Sequence, residues 1–362
     1  MKIDLIPRPD LQTLGAEWRA LEARVPELSF FRSWSWVGCL AAERFDDALL
    51  LRAERAGQVV ALALCNRRGG RLCLGESGDP ARDAPFVEHN GPLMLDEPGL
   101  LAALLRQAAA ARGVRRLVLG GVAPGILAAA PGVRLRCQER QAPFVDLDAI
   151  RAAGGDHLAM LSANARQQIR RSLRHYGEVQ LHRAATLQDA QAMLARMVRL
   201  HEATWQARGR PGAFATAYLR RFHDALLARA LPRGEVELLE FRAGAGTLGI
   251  LYNFRLRGRV SAYQSGFAPA EGNHAKPGLT CHALAIADSL ARGDRVYDFL
   301  GGADRYKRSL AKQEATLAWA ELVPRWSPTG VALRAWHALR PHAASFRSTR
   351  EGRSAAGDGA EA

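Results

Sequence analysis

Four groups of residues in this chain of 362 amino acids have types and spacings that could do chemistry. Lys276-Pro277-Gly278 precedes an apolar helical run that opens with Leu279 and Thr280. Free amides at a helix start, backed by the positive end of the dipole, hold anions. Proline suits a first helical turn, glycine admits a group close to the backbone, and lysine adds a point charge. The same tripeptide also makes an ordinary turn before a helix. In the second group, Arg166, Arg170 and Arg174 recur every four residues, with Arg171 beside them and no acid between Asn164 and His175. They line one helical face, either as a solvated basic surface or as a clamp for phosphate or another anion. In the third group, Asp298 closes a strand-like segment and a Gly-Gly-Ala-Asp loop leads on to Tyr306 and Lys307. Strand ends open into clefts in α/β folds, so Asp298 reads either as a base or as a loop anchor that accepts backbone hydrogen bonds. Tyr263 and Gln264 lie on the strand before the Lys276 turn, where one side faces the cleft. The fourth group is His89, in Glu88-His89-Asn90-Gly91 of a long loop, placed to reach an acceptor across an interface. Trp205, Arg208 and Arg210 flank a Gly- and Pro-containing loop and could border an acceptor pocket, unless Trp205 is core. His201, His274 and His282 read as structural or surface residues.

The elements that position these groups occur twice, in the order β–α–α–β–β–β–loop–α–β. In the first half, Met1–Ile6 reads as a strand, and Asp10 caps a helix with Leu11, Leu14, Trp18 and Leu21 at helical spacing. The segments Leu49–Glu54 and Val59–Asn66 flank Ala56-Gly57-Gln58, a hairpin signal. A Gly-, Pro-, Asp- and Asn-rich loop spans 75–92, followed by a helix at Leu100–Ala111 and a strand at Leu117–Leu119. In the second half, a basic helix is expected over Asp156–Tyr176, a strand at Val179–His182, and helices at Leu187–Arg208 and Ala215–Ala230. Strands follow at Val236–Phe241, Leu248–Leu256 and Val260–Phe267, then a helix at Leu279–Ala291 and strands at Arg295–Leu300 and Thr316–Val323. The stretch Glu97-Pro98-Gly99-Leu100, a helix, Arg112-Gly113 and Arg115–Gly121 parallels Lys276-Pro277-Gly278-Leu279, a helix, Arg292-Gly293 and Arg295–Gly302. The halves therefore read as an internal duplication, with boundaries at 1–147, 148–325 and a terminal segment 326–362 that is expected to be disordered from about 340. Glu97 stands where the second half has Lys276 and would repel phosphate, so an anionic cofactor belongs to the second half.

Composition narrows the classes. With 48% hydrophobic and 24% charged residues the chain has the makings of a packed core, which excludes wholesale disorder, collagen and a disulfide scaffold. The net charge of +14 comes from 46 Arg and only four Lys, so arginines carry little individual weight and each lysine is informative. Residues 1–147 hold 19 basic and 17 acidic groups, whereas 148–362 hold 31 and 19. A second half at net +12 expects an anionic partner such as a phosphorylated cofactor, nucleic acid or a membrane surface. The five cysteines form no C-x-x-C pair and read as reduced thiols, no Cys/His spacing suggests a metal, and neither a Walker-type nor a G-x-S-x-G motif is present. The N-terminus has no signal-peptide pattern and no apolar run reaches membrane-spanning length, so the expected location is cytoplasmic, with peripheral contact to the inner membrane as the other option.

Further segments carry a resemblance. Phe30-Phe31-Arg32-Ser33-Trp34-Ser35-Trp36 resembles the aromatic opening of bacterial proteins with a doubled GNAT-type acyltransferase fold, the CelD-type and BioF2-like proteins and, more distantly, the Fem-type peptidyl transferases. Ser162–Ser172, the Pro277-Gly278 turn and Tyr297–Arg308 agree in order and spacing, covering about residues 30–310. The resemblance implies an α/β (α+β) fold of two tandem GNAT-like domains, each a mixed, mostly antiparallel sheet flanked by helices. It also implies an acyl thioester donor, normally acyl-CoA, whose phosphates would meet Lys276, Pro277, Gly278, Leu279 and Thr280. This chain has only a reduced Pro-Gly form of the usual Q/R-x-x-G-x-G/A turn.

Amine acylation needs a base for the ammonium proton and an acid for the leaving thiolate. On the resemblance, Asp298, Tyr306 and Tyr263 are the catalytic candidates, with Tyr306 protonating the thiolate. Lys307, Arg170 and Arg171 join the donor turn in binding phosphate, and Arg166, Trp205, Gln264 and His89 are candidates for holding the acceptor. The leading expectation is an N-acyltransferase acting on a small-molecule or envelope-precursor amine, in envelope, exopolysaccharide or small-metabolite biosynthesis. A Fem-type enzyme using aminoacyl-tRNA is the first alternative, with an acyl carrier protein as a further donor. The second is a non-catalytic exopolysaccharide or envelope assembly factor that keeps the fold.

Overall fold

Paired residues with left-handed backbone turn the chain tightly at Ala56-Gly57 (φ 50° and 77°), Gly69-Gly70 (57° and 77°) and Arg257-Gly258 (50° and 75°). Two successive positive φ values match the twist of the flanking strands and give tight hairpins. The computed structural model describes residues 1–339 except 85, 86, 208, 210, 211, 215, 271, 273 and 303. The first half runs β1 (Lys2–Pro7), α1 (Leu11–Glu22), α2 (Trp34–Glu43), β2 (Ala48–Arg55), β3 (Gln58–Arg68), β4 (Arg71–Leu74), β5 (Leu93–Met94), α3 (Leu100–Ala110), β6 (Arg116–Val122), α4 (Pro124–Ala129) and β7 (Val133–Asp146). Then come α5 (Leu147–Ala152), α6 (His157–Met160), α7 (Ala163–Tyr176), β8 (Val179–Arg183), α8 (Leu187–Ala207), α9 (Ala217–Ala230), β9 (Val236–Ala243), β10 (Gly246–Leu256) and β11 (Arg259–Phe267). The chain continues with α10 (Pro277–Ala291), β12 (Val296–Asp298), α11 (Arg305–Leu310), β13 (Gln313–Val323) and α12 (Pro328–Leu339).

The strands form one mixed sheet in the order β1-β2-β3-β4-β6-β13-β7-β12-β11-β10-β9-β8, with β5 on β3. The order reads as a palindrome, β1 answering β8 and β6 answering β12, as a duplicated fold requires. Only β4–β6 and β11–β12 are parallel among the paired strands. At the centre the halves exchange strands. β7 follows the first half in sequence yet pairs with β12, while β13 follows the second half and pairs with β6. β7 and β13 also pair with each other from Gln313↔Phe144 to Val323↔Val133.

Alternation along the strands sends neighbouring residues to opposite faces. On one face, Leu50, Leu62 and Leu64 join Leu238, Ile250, Tyr252, Phe254 and Tyr263 in a single core with α1, α2, α8 and α9. On the other face the halves keep separate cores, Leu49, Leu51 and Ala63 under α3, and Leu239, Phe241 and Leu251 under α7 and α10. The shared core is centred on aromatic rings: Phe30 stacks on Phe254 at 4.2 Å, Tyr263 on Phe254 at 4.3 Å, and Trp36 meets Phe222 edge-on at 5.5 Å.

The expected mixed α/β architecture is found, with local differences. β7 was not expected: Val133, Leu135 and Cys137 alternate with polar residues at its start, but none of them is buried, and Gln138–Gln141 breaks the pattern where the strand forms an exposed ribbon with β13. The helix expected over Asp156–Tyr176 is broken: Leu161 is extended, and Ser162 restarts the chain as the N-cap of α7 by accepting from the Ala165 amide at 3.3 Å. The strand expected over Arg295–Leu300 shortens to β12, since Leu300 takes a φ of 60° and turns away. The tail expected to be disordered lies outside the described residues. No helix among the described residues is long and apolar enough to cross a membrane.

Because the aromatic core belongs to both halves, Phe254→Ala is expected to cost about 3–5 kcal/mol. Denaturant unfolding followed by tryptophan fluorescence and by circular dichroism should give one coincident transition in wild type and variant alike. Two resolved transitions would contradict a shared core.

Candidate active site at the seam

The loop after β4 carries Glu88 and His89 to the end of β12, so a first-half loop meets second-half strand and helix termini. Asn90 fixes this loop: its side-chain amide donates to the Leu74 and Gly120 carbonyls at 2.8 and 3.0 Å. Gly121, with φ 62°, admits the loop, because a Cβ there would stand 2.0 Å from the Val87 carbonyl oxygen. Ser29, beside the aromatic opening, donates to the His89 carbonyl at 2.7 Å.

Asp298 is fully buried at the end of β12. Its Oδ1 accepts the Leu300 amide at 2.8 Å and its Oδ2 accepts Arg259 Nη1 at 2.7 Å. His89 Nε2 stands 2.9 Å from the same Oδ2 across the seam, close but outside hydrogen-bond geometry. Burial pushes the Asp298 pKa up, but His89, Arg259 and the Leu300 amide outweigh it and hold the carboxyl below its ordinary value. Asp298 is thus a fixed anion with its oxygens already engaged. The geometry corrects its reading as a free base and favours the anchor, with the added part of orienting His89, whose Nδ1 remains available.

Glu88 accepts the Gly301 amide through Oε2. Lys307, on α11, donates to the Gly301 carbonyl at 3.0 Å. Burial pushes Glu88 up and Lys307 down in pKa, so each is biased toward its neutral form, while their mutual attraction opposes both shifts. Glu88, His89, Asp298, Lys307 and Arg259 therefore make one polar group drawn from both halves. His89, Asp298 and Lys307 were legible in the sequence. Glu88 and Arg259 were not: the first was visible only as the neighbour of His89, and the second was one arginine among 46.

The other candidates lie elsewhere. Tyr306 turns its ring to the second-half core and stacks on His282 with centroids 5.6 Å apart, and burial keeps its phenol protonated to well above the ordinary range. Tyr263 is buried in the shared core and its hydroxyl has no hydrogen-bond partner. Burial raises its pKa strongly, so it holds its proton and is no base. Gln264 lies half-buried next to it on β11, opposite Tyr252, where a bulge at Tyr263 interrupts the alternation. Trp205 is half-buried 5.8 Å from the His201 ring, while Arg208 and Arg210 lie outside the described residues.

At the start of α10, Lys276 is the N-cap and half-buried, and its amide donates to Ser172 Oγ of α7 at 3.0 Å. Thr280 is fully buried with its hydroxyl 2.7 Å from the same Ser172, so it fastens α10 to α7 and offers no group to a ligand. The amides of Gly278 and Leu279 have no partner among the described residues. Pro277 is buried, and Leu279 packs against the second-half core. Arg166 is half-buried, while Arg170, Arg171 and Arg174 are exposed, and none of the four has an acidic partner among the described residues. No group of His, Cys, Asp and Glu among the described residues could hold a metal ion.

Asp298→Asn gives a test with a defined sign. A carboxylate held below its ordinary pKa stabilises the fold above that ordinary value, and the contribution is lost as pH falls through the folded pKa. Breaking the buried pair is expected to cost about 3–5 kcal/mol at neutral pH. The gap from wild type should narrow below about pH 4 in denaturant titrations. A gap independent of pH would refute the ionic role.

Residues 163–308 match a family model described as an acetyltransferase (GNAT) domain. By structure the chain is similar to FemX, with TM-score 0.58 and 11% identity over 88% of this chain and 97% of that one. It is also similar to the C-terminal domain of a putative lysylphosphatidylglycerol synthetase from Agrobacterium fabrum, with TM-score 0.53 and 13% identity over 91% and 98%. The structure of L-PGS from Bacillus licheniformis gives 0.51 and 12% over 90% and 96%. No curated protein matches the chain in sequence.

Proposed function

We propose, from the match of residues 163–308 to an acetyltransferase (GNAT) domain model, that the chain is an N-acyltransferase moving an acyl group from acyl-CoA to an amine at the seam. The observation that carries this reading is the convergence of Glu88 and His89 with Asp298 and Lys307 from opposite halves. His89, its Nε2 beside the Asp298 carboxylate, takes the ammonium proton on Nδ1. The freed amine attacks the thioester carbonyl carbon, and Lys307 faces the oxyanion that develops. The carbon–sulfur bond then breaks, and the second proton of the acylated nitrogen passes to the leaving thiolate, releasing the amide and the free thiol. The boundaries 1–147 and 148–325 divide the labour, acceptor side from donor side.

The start of α10 fits a phosphorylated donor. Gly278 has no steric role inside the chain: an added Cβ would meet the Phe267 ring at an ordinary 3.4 Å, and its φ is not positive. Glycine within a helix costs about 0.5–1 kcal/mol relative to alanine. A glycine unnecessary for packing at a helix start with two unpartnered amides suits an external anion approaching the backbone, with Lys276 beside it.

Acetyl-CoA should raise the melting temperature of the wild type and fail to do so for Lys276→Glu. Gly278→Ala should melt higher than wild type without ligand yet respond less to acetyl-CoA. Lys307→Met should bind the donor normally while kcat falls about 10²–10³-fold. A wild type that no acyl-CoA stabilises would sink the proposal for this donor. A second donor, aminoacyl-tRNA, is favoured by the exposed arginines of α7, and binding of charged tRNA that weakens steeply with salt would assign it.

A further inference from the structure

A second polar cluster lies in the seam, unused by the reaction above. Arg44, just after α2, is fully buried. Its guanidinium carbon stands 3.9 Å from the centroid of Phe222 and 5.6 Å from that of Trp36. Nε, Nη1 and Nη2 all lack a hydrogen-bond partner, and the side chain forms no ion pair among the described residues. The Tyr218 hydroxyl, which donates to the Glu43 carbonyl at 3.3 Å, stands beside it as a neutral neighbour with lone pairs to offer but no charge to balance the cation. Glu76 feels the Arg44 charge, yet burial and the nearby Asp83 push its pKa up to about 8, so it is mostly neutral at pH 7 and does not balance the cation.

Three further polar atoms in the same cluster are buried without partners: Trp36 Nε1, His223 Nε2 and Tyr263 Oη. Their rings interlock, His223 and Tyr263 at 5.5 Å and Trp36 and Tyr263 at 6.2 Å. His223 is neutral, its pKa lowered to about 3 by burial and by Arg44. Trp36 and Tyr263 can donate, and so can one tautomer of His223. A lone cation among unpaired donors is a costly arrangement that an anion would relieve.

We propose that Arg44, with Trp36, His223 and Tyr263, binds the carboxylate of the acceptor, so that the acceptor is an amino acid or another small amine bearing a carboxylate. This rests on the acyltransfer reading above. The flat guanidinium fork suits a planar group with two oxygens, and the aromatic walls penalise a dianionic phosphate more than a monoanion. Tyr263 packs 6.2 Å from Phe31, and Ser29, just before Phe30, donates to the His89 carbonyl at 2.7 Å, so the cluster adjoins the catalytic group. A carboxylate at Arg44 leaves the amine of the same molecule to face Glu88 and His89. Arg44 is enclosed where α2 packs on α9.

The test is calorimetric and thermal titration of the wild type, Arg44→Met and Arg44→Lys with benzoate, benzamide and inorganic phosphate, in the absence of any acyl donor. Benzoate should bind and stabilise the wild type, benzamide should not, and Arg44→Met should lose benzoate affinity about 10- to 100-fold. Arg44→Met without ligand should melt at or above the wild-type temperature, because it removes an unpaired buried charge, and Arg44→Lys should retain part of the benzoate response. Benzoate stabilisation that survives in Arg44→Met, or none in the wild type, overturns the site. Phosphate binding more tightly than benzoate overturns the carboxylate assignment. Acetyl-CoA binding, measured separately on the same proteins, distinguishes failure of this site from failure of the acyltransfer reading.

Discussion

The two halves are locked together by one continuous apolar core on one face of the sheet and by the exchange of β7 and β13 at its centre. Either device alone would fuse the halves; together they fix their relative position to the precision of strand register. The consequence for chemistry is direct. Glu88 and His89 can hold hydrogen-bond distances to Gly301 and Asp298 only if the first-half loop cannot drift from the second-half strand ends. The side chains that set that distance are far from polar: Phe30 and Phe31 of the aromatic opening, packed on Phe254 and Tyr263.

The same core raises the electrostatic cost of the site. Asp298 stays ionised because three donors face it, whereas Glu88 and Lys307 have fewer partners and are pushed toward neutrality by burial. A buried ion that is fully engaged is held in place; one that is only partly engaged responds to whatever enters. The seam therefore combines a rigid anchor with groups whose protonation a substrate can shift, which is how functional sites trade stability for chemistry.

Much of the frame was legible in the sequence because turn residues and alternation are local signals. The hairpin around Gly57, the cap at Asp10 and the helix after Pro277 all appear where expected. β7 was not read as a strand, because its short alternation at Val133, Leu135 and Cys137 gives way to the polar run Gln138–Gln141 of an exposed ribbon. Within the site, rare residue types were informative: Lys307 stands out among four lysines and His89 among ten histidines. Arg44 and Arg259 were invisible, since an arginine's burial depends on the tertiary partners around it and no local spacing encodes it. Tyr263 misled for the related reason that alternation placed it on one face of β11 without showing that this face was the shared core.

The two halves differ at their corresponding Pro-Gly turns. In the second half, α10 begins at Pro277, so Gly278 and Leu279 direct their amides along the helix axis. In the first half, Gly99 takes a φ of 77° and α3 begins only at Leu100, so the Pro-Gly pair is spent on a turn outside the helix. Glu97, the counterpart of Lys276, is meanwhile paired with Arg55 at 2.9 Å. The turn that leaves two amides unpartnered among the described residues in one repeat is thus a structural tie in the other. A palindromic sheet could place two donor turns symmetrically about its centre, but the reacting groups meet at one seam. There, Glu88 and His89 come from the half whose turn is closed, and Asp298 and Lys307 from the half whose turn is open.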